Sequence, residues 1–88
     1  MNKKKIENML KKEIKLYKIK IKKENKNIEI VAVSNTFLNK TELQRQQTIY
    51  KPIQNLIIKK KIHAVIIYTY SIKEWKKKLN KKKHKQKY

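Results

Sequence analysis

Apolar residues near the start of the chain recur at helical spacing. Between residues 3 and 15 they fall three or four positions apart among lysines and glutamates, at Ile6, Met9, Leu10 and Ile14. This pattern predicts a first, amphipathic helix. From residue 17 to 21 the period changes to two, with lysines between Tyr17, Ile19 and Ile21, which predicts a strand with one buried face.

A polar stretch and an apolar run follow. Residues 23–27 are polar and predict a turn, and the run at residues 28–34 predicts a returning strand with both faces buried. Thr41 is suited to cap a short helix over residues 42–49. Because proline is costly inside a helix but favourable in its first turn, Pro52 predicts a separate helix over residues 51–60.

The last part of the chain predicts a strand and a helix. Residues 62–70 are rich in β-branched and aromatic side chains, which favours a third strand. Ser71 and Glu74 form the pattern of a capping box, so the final helix is expected to begin at Ile72. The expected core consists of Leu10, Ile19, Ile30, Ala32, Phe37, Ile53, Leu56, Val65, Ile67 and Trp75.

The predicted order is helix, strand, strand, helix, helix, strand, helix, an α/β (α+β) arrangement. Eighty-eight residues are enough for one such domain. We expect this single domain to occupy residues 1–80, followed by a basic, disordered tail at residues 81–88.

The chain is strongly basic, with a formal net charge of +20 and a single arginine, Arg45. Two explanations stay open: codon drift toward A and T, which adds lysine and isoleucine, or selection for binding phosphate. Either way, non-specific attraction to polyanions such as nucleic acid follows from the charge.

Several function classes find no support in the sequence. There is no cysteine, and hence no disulfide or thiolate nucleophile. No pattern of paired carboxylates or a phosphate-binding loop is present, so we expect no enzymatic activity and no catalytic residue. The apolar runs are too short for membrane insertion and no signal-peptide pattern is seen, which favours a soluble cytoplasmic protein.

Three segments resemble one known family. They are V-A-V-S at residues 31–34 with Phe37, R-Q-Q-T-I-Y at residues 45–50, and I-H-A-V at residues 62–65 with E-W at residues 74–75. In this order they are similar to the BolA family, and the R-Q-Q version is typical of its IbaG branch. Asn39 stands where the family often has glycine, and we expect it to take a left-handed backbone conformation.

The resemblance implies a KH-like fold of class II, with a three-stranded mixed sheet covered by helices. It also implies a non-enzymatic adaptor that partners a monothiol glutaredoxin in iron–sulfur cluster trafficking or iron homeostasis. An alternative from the same family is a KH-like, nucleic-acid-binding transcriptional regulator.

The resemblance makes His63 the candidate ligand to the iron of a [2Fe–2S] cluster shared with glutaredoxin and glutathione. The alternative is a histidine that only caps the start of the third strand. Family members often supply a second ligand from the first hairpin, but residues 22–27 contain neither His nor Cys. We therefore expect this chain to bind no cluster alone.

The polar helix offers a second candidate surface. Arg45, Gln46 and Gln47 could contact an acidic partner or phosphate, or could form a solvated face. His84 lies in the lysine-rich end and is expected to be solvated.

Overall fold

The computed structural model describes residues 3–85, and their side chains as far as residue 80. Its helices are α1 (Lys3–Glu13), α2 (Glu42–Lys59) and α3 (Ile72–Lys85), and its strands are β1 (Lys18–Glu24), β2 (Asn27–Val33) and β3 (Ala64–Tyr70). A short 3₁₀ turn, Asn35–Phe37, precedes α2. Within these described residues, no helix combines the length and apolar character needed to cross a membrane.

The three strands form one mixed sheet in the order β1-β2-β3. β1 and β2 pair antiparallel through a two-residue turn, whereas β2 and β3 pair parallel across α2. The expected α+β fold with a three-stranded mixed sheet is confirmed.

One face of the sheet is buried beneath α1 and α2. Ile28, Ile30 and Ala32 of β2 are at most 1% exposed, and they join Leu10 of α1 and Ile53 of α2 in one apolar cluster. Seven of the ten expected core residues are buried. The other three are half-buried and pack against the cluster, namely Ile19, Val65 and Ile67.

α2 corrects one expectation from the sequence. The prediction of two helices, at residues 42–49 and 51–60, is wrong: a single helix runs through Pro52. Proline costs about 3 kcal/mol inside a helix, whereas each fully buried aliphatic side chain stabilises by about 1.5–3 kcal/mol. Burial therefore outweighs the missing amide, since α2 buries four such residues, namely Ile49, Ile53, Leu56 and Ile57.

Both helix starts that were predicted from capping residues are confirmed. Thr41 accepts the Gln44 amide N–H through its hydroxyl at 3.2 Å, and Gln44 accepts the Thr41 amide N–H at 3.0 Å. Ser71 and Glu74 make the same reciprocal pair at the start of α3. These contacts satisfy amide groups that the first helical turn leaves unpaired.

α3 packs through its first turns against the other face of the sheet. Trp75 is buried, with its ring centroid 5.4 Å from that of Tyr70, outside the main apolar cluster. The helix continues to Lys85, so it overlaps the stretch 81–88 that was expected to be a disordered tail. Residues 86–88 lie outside the described part of the chain.

α2 ends in a turn that directs the chain into β3. The Lys61 amide donates to the Ile58 carbonyl and the Ile62 amide to the Ile57 carbonyl, both at 3.1 Å, which is the Schellman pattern. This pattern requires a left-handed residue, and Lys61 has φ 53°. The chain has no glycine. Asn39 also takes the left-handed conformation, as expected, with φ 63°.

Replacing Lys61 by glycine should stabilise the fold. The left-handed conformation costs a residue with a Cβ about 1–2 kcal/mol, and the larger entropy of glycine in the unfolded chain offsets part of the gain. We expect the free energy of unfolding to rise by about 0.5–1 kcal/mol in urea titrations. Lys59→Gly is the matched control and should destabilise, because Lys59 is helical. A loss of stability in Lys61→Gly would contradict this account.

Candidate functional site

His63 lies between the turn that ends α2 and the first residue of β3. Its backbone N–H donates to the Lys26 carbonyl at 2.8 Å, and the next residue, Ala64, pairs with Asn27. The residue is exposed. The structure thus places His63 beside the β1–β2 hairpin, at the entrance to the third strand, which begins at Ala64 and not at residue 62 as predicted. Its role as a ligand stays a prediction.

Few other metal ligands surround this position. The side chains described, residues 3–80, contain no group of three or more His, Cys, Asp or Glu that could hold a metal ion. Residues 22–27 contribute one carboxylate, Glu24, and no His or Cys. Iron–sulfur clusters take sulfur or imidazole ligands, usually four. One imidazole fits a shared site but cannot hold a cluster alone, so the remaining ligands would have to come from another molecule.

Arg45 is engaged within the chain. Its Nη1 lies 2.7 Å from Glu74 Oε1, its Nη2 donates to Glu74 Oε2 at 3.2 Å, and its Nε donates to the Lys40 carbonyl at 3.1 Å. The side chain is 13% exposed. This two-pronged ion pair joins the beginning of α2 to the beginning of α3.

Glu74 has two structural tasks. It accepts the Ser71 amide N–H at 2.8 Å in the capping box and pairs with Arg45. Chiefly the hydrogen bond from Arg45, and then the backbone hydrogen bond from Ser71, lower the pKa of Glu74 from 4.5 to about 2. The S-x-x-E pattern predicted the cap, but no signal in the sequence pointed to the ion pair.

The two glutamines of the R-Q-Q motif differ in their surroundings. Gln46 donates from Nε2 to Glu42 Oε1 at 3.2 Å, one turn earlier on α2, whereas Gln47 is exposed. Both lie near the start of α2, and His63 lies beyond its end. At 1.5 Å per residue, these positions are separated by roughly 20 Å along the helix. The structure therefore forms two separate surfaces, and contact of Arg45, Gln46 or Gln47 with a partner stays a prediction.

The sequence matches a family model described as BolA, BolA-like protein, over residues 2–74. The chain belongs to the BolA family. The match includes His63 and the R-Q-Q motif of α2, so both candidate surfaces lie within the shared part of this BolA-family chain.

Two relatives place the chain within the family. It is 51% identical over 73 residues to an uncharacterized protein of Buchnera aphidicola from Baizongia pistaciae, covering 83% of this chain and 92% of that protein. It is 29% identical over 70 residues to the acid stress protein IbaG of Escherichia coli K12, covering 80% and 83% of the two chains. The predicted similarity to IbaG is confirmed.

The fold of this BolA-family chain also agrees with a solved structure. A Bol-like protein from Babesia bovis superimposes with a TM-score of 0.77, covering 89% of this chain and 93% of that one. Their sequence identity is 22%, so the comparison supports the fold alone.

The Arg45–Glu74 pair should make stability depend on acid. Because the pKa of Glu74 is lowered on folding, its contribution is present above pH 4.5 and is lost as the pH falls toward about 2. The side chain of Glu74 is 46% exposed, so we expect a contribution of about 1 kcal/mol or less. Urea titrations of wild type and Glu74→Gln measure this contribution. They should run from about pH 6 to about pH 2, because this interval contains the pKa of Glu74 in both the unfolded and the folded protein.

The variant should show a smaller loss of stability over that range, since glutamine can keep the cap but not the ion pair. Arg45→Gln should reduce the acid dependence through the same pair, and the double variant should lose less than the sum of the two single variants. Strict additivity would show that the two side chains do not interact in solution.

Proposed function

We propose that this BolA-family chain is a non-enzymatic, cytoplasmic adaptor that pairs with a monothiol glutaredoxin in iron–sulfur cluster trafficking or iron homeostasis. The observation that carries the proposal is an exposed His63 held beside the β1–β2 hairpin. Family membership supports it, because some BolA-like proteins share clusters with glutaredoxins.

In this proposal His63 supplies one imidazole ligand to a [2Fe–2S] cluster. Imidazole is an established cluster ligand in Rieske centres, where it raises the reduction potential. Glutaredoxin cysteine and glutathione sulfur would supply the other ligands, since this chain has no cysteine. A cluster held from this side by a single ligand would be labile, which suits transfer to a client.

The backbone of His63 is fixed before any partner arrives. The Schellman turn at Lys61 and the hydrogen bond from His63 N–H to Lys26 set the position of the residue on two sides. Because the contact uses the backbone, the imidazole needs no intramolecular partner to stay near the hairpin. Binding a cluster at this residue would therefore cost little backbone entropy.

A nucleic-acid-binding regulator is the second candidate function, and the net charge of +20 favours it. Arginine is the side chain that most often reads guanine, and the single arginine of this chain is paired with Glu74. The charge therefore supports attraction to the backbone of nucleic acid more than recognition of base sequence.

Removing the imidazole tests the adaptor proposal. When the chain is mixed with a cluster-loaded monothiol glutaredoxin, we expect the visible absorption and circular dichroism of the cluster to change, because imidazole replaces a sulfur ligand. His63→Ala should abolish this change without unfolding the protein, since an exposed side chain contributes little to packing.

His84→Ala is the matched control and should behave as wild type; its side chain lies outside those described. Binding to glutaredoxin should be measured for each variant by calorimetry. If wild type and His63→Ala both bind and give the same spectrum, His63 is not a ligand and the chain is an adaptor of another kind.

A further inference from the structure

The sheet has a second face, opposite the one that α1 and α2 cover. Side chains alternate along a strand, so the register shows which of them share this second face. A row of lysines on β1 lies on one side of β2, and a row of apolar and aromatic residues on β3 lies on the other. We call this surface the open face; it comprises Lys18, Lys20 and Lys22 of β1, Glu29, Val31 and Val33 of β2, and Ile66, Tyr68 and Tyr70 of β3.

α3 covers one end of the open face only. There Val33 is fully buried and Tyr70 packs against Trp75. Further along β3, Tyr68 is 42% exposed and Ile66 is 48% exposed. The middle of the open face is thus an apolar and aromatic strip that is accessible in this chain.

Cations flank this strip on both sides. Lys18, Lys20 and Lys22 are exposed along β1. On the other side, Lys78 Nζ lies 5.9 Å from the ring centroid of Tyr68 and donates to the Tyr70 hydroxyl at 2.6 Å. The arrangement places an exposed aromatic ring between two sources of positive charge.

We propose that the open face binds single-stranded nucleic acid, with a base stacked on Tyr68 and the phosphates near Lys18, Lys20 and Lys78. Proteins that bind single strands without sequence preference combine aromatic stacking with a basic track for the backbone. The inference rests on the second candidate function, nucleic-acid binding, for which it names a surface and a type of strand. It does not depend on the adaptor proposal, because His63 lies beside the hairpin and outside the open face.

Charge and base exposure favour single-stranded nucleic acid over a second copy of the chain and over a duplex. A second copy of the chain would bring two lysine rows together on molecules that each carry +20, so self-association is disfavoured. A duplex would present phosphates to the lysines but no exposed base plane to Tyr68. Glu24 and Glu29, which the register places toward the hairpin end of the same face, direct an anionic strand toward Lys20 and Lys18.

Binding of two fluorescein-labelled oligonucleotides separates stacking from general attraction. One is a single strand of about 12 thymidine nucleotides, a length that falls within the usual size of a single-strand binding site. The other is an abasic strand with the same number of phosphates. By fluorescence anisotropy, Tyr68→Ala should weaken binding to the thymidine strand about tenfold. It should leave binding to the abasic strand unchanged, and Tyr68→Phe should retain wild-type affinity.

Tyr17→Ala is the control for Tyr68→Ala, and Lys12→Gln is the control for a substitution in the lysine row, Lys20→Gln. Tyr17→Ala removes a tyrosine that is 56% exposed but lies in a different cleft, beside Ser34, and it should bind both strands as wild type does. Lys20→Gln should lower the slope of log affinity against log salt by about 0.7, as expected for one lost single-strand contact. Lys12→Gln, on α1, should change that slope less.

Three results would overturn the proposal. Equal affinity of wild type for the thymidine and abasic strands would leave only non-specific polyanion attraction. Equal losses of affinity for the thymidine strand in Tyr68→Ala and Tyr17→Ala would show that the open face does not bind the strand. Stronger Tyr68 dependence for phosphatidylglycerol vesicles than for the thymidine strand would assign the face to a membrane surface instead.

Discussion

The register of β2 against its two neighbours is the constraint on which the rest of the structure depends. Ile28, Ile30 and Ala32 point into the core because β2 pairs antiparallel with β1 and parallel with β3 in one particular alignment. A slip of one residue would exchange the two faces of a strand and expose an apolar set to water. Burial beneath α1 and α2 therefore fixes the alignment.

Both proposed surfaces follow from this register. Pairing of Asn27 with Ala64 brings the residue before Ala64, His63, against the hairpin, where its backbone bonds to Lys26. The same alignment puts Val31 between Lys20 and Tyr68 on the open face. The histidine and the tyrosine thus occupy different places on one sheet, and a substitution at either can be tested without altering the other.

Features that depend on neighbouring residues could be predicted from the sequence. The alternation of β1, the caps at Thr41 and Ser71 and the left-handed Asn39 each follow from a few adjacent side chains. Predictions failed or stopped where distant residues decide the outcome. Pro52 is a local signal for a break in the helix. The burial that keeps α2 continuous comes from packing against distant residues, which the local pattern does not contain.

The candidate site shows the same limit. The place of His63 near the start of the third strand could be predicted from the local strand pattern, whereas its contact with the hairpin depends on the pairing of Asn27 with Ala64. The Arg45–Glu74 pair joins residues 29 positions apart, and neither residue type in isolation specifies the other. The open face likewise could not be predicted from the sequence, because the lysine row on β1 and the tyrosines on β3 are brought together only by pairing with β2.

Nuclear Overhauser contacts across the sheet test the register most directly. We expect the ring protons of Tyr68 to contact the methyl groups of Val31, and the methyl groups of Val65 to contact those of Ile28, because these pairs are aligned in adjacent strands. Contacts from the Tyr68 ring to Ile30 or Ala32 instead would show a register shifted by one residue. That result would contradict the placement of the core, of His63 and of the open face together.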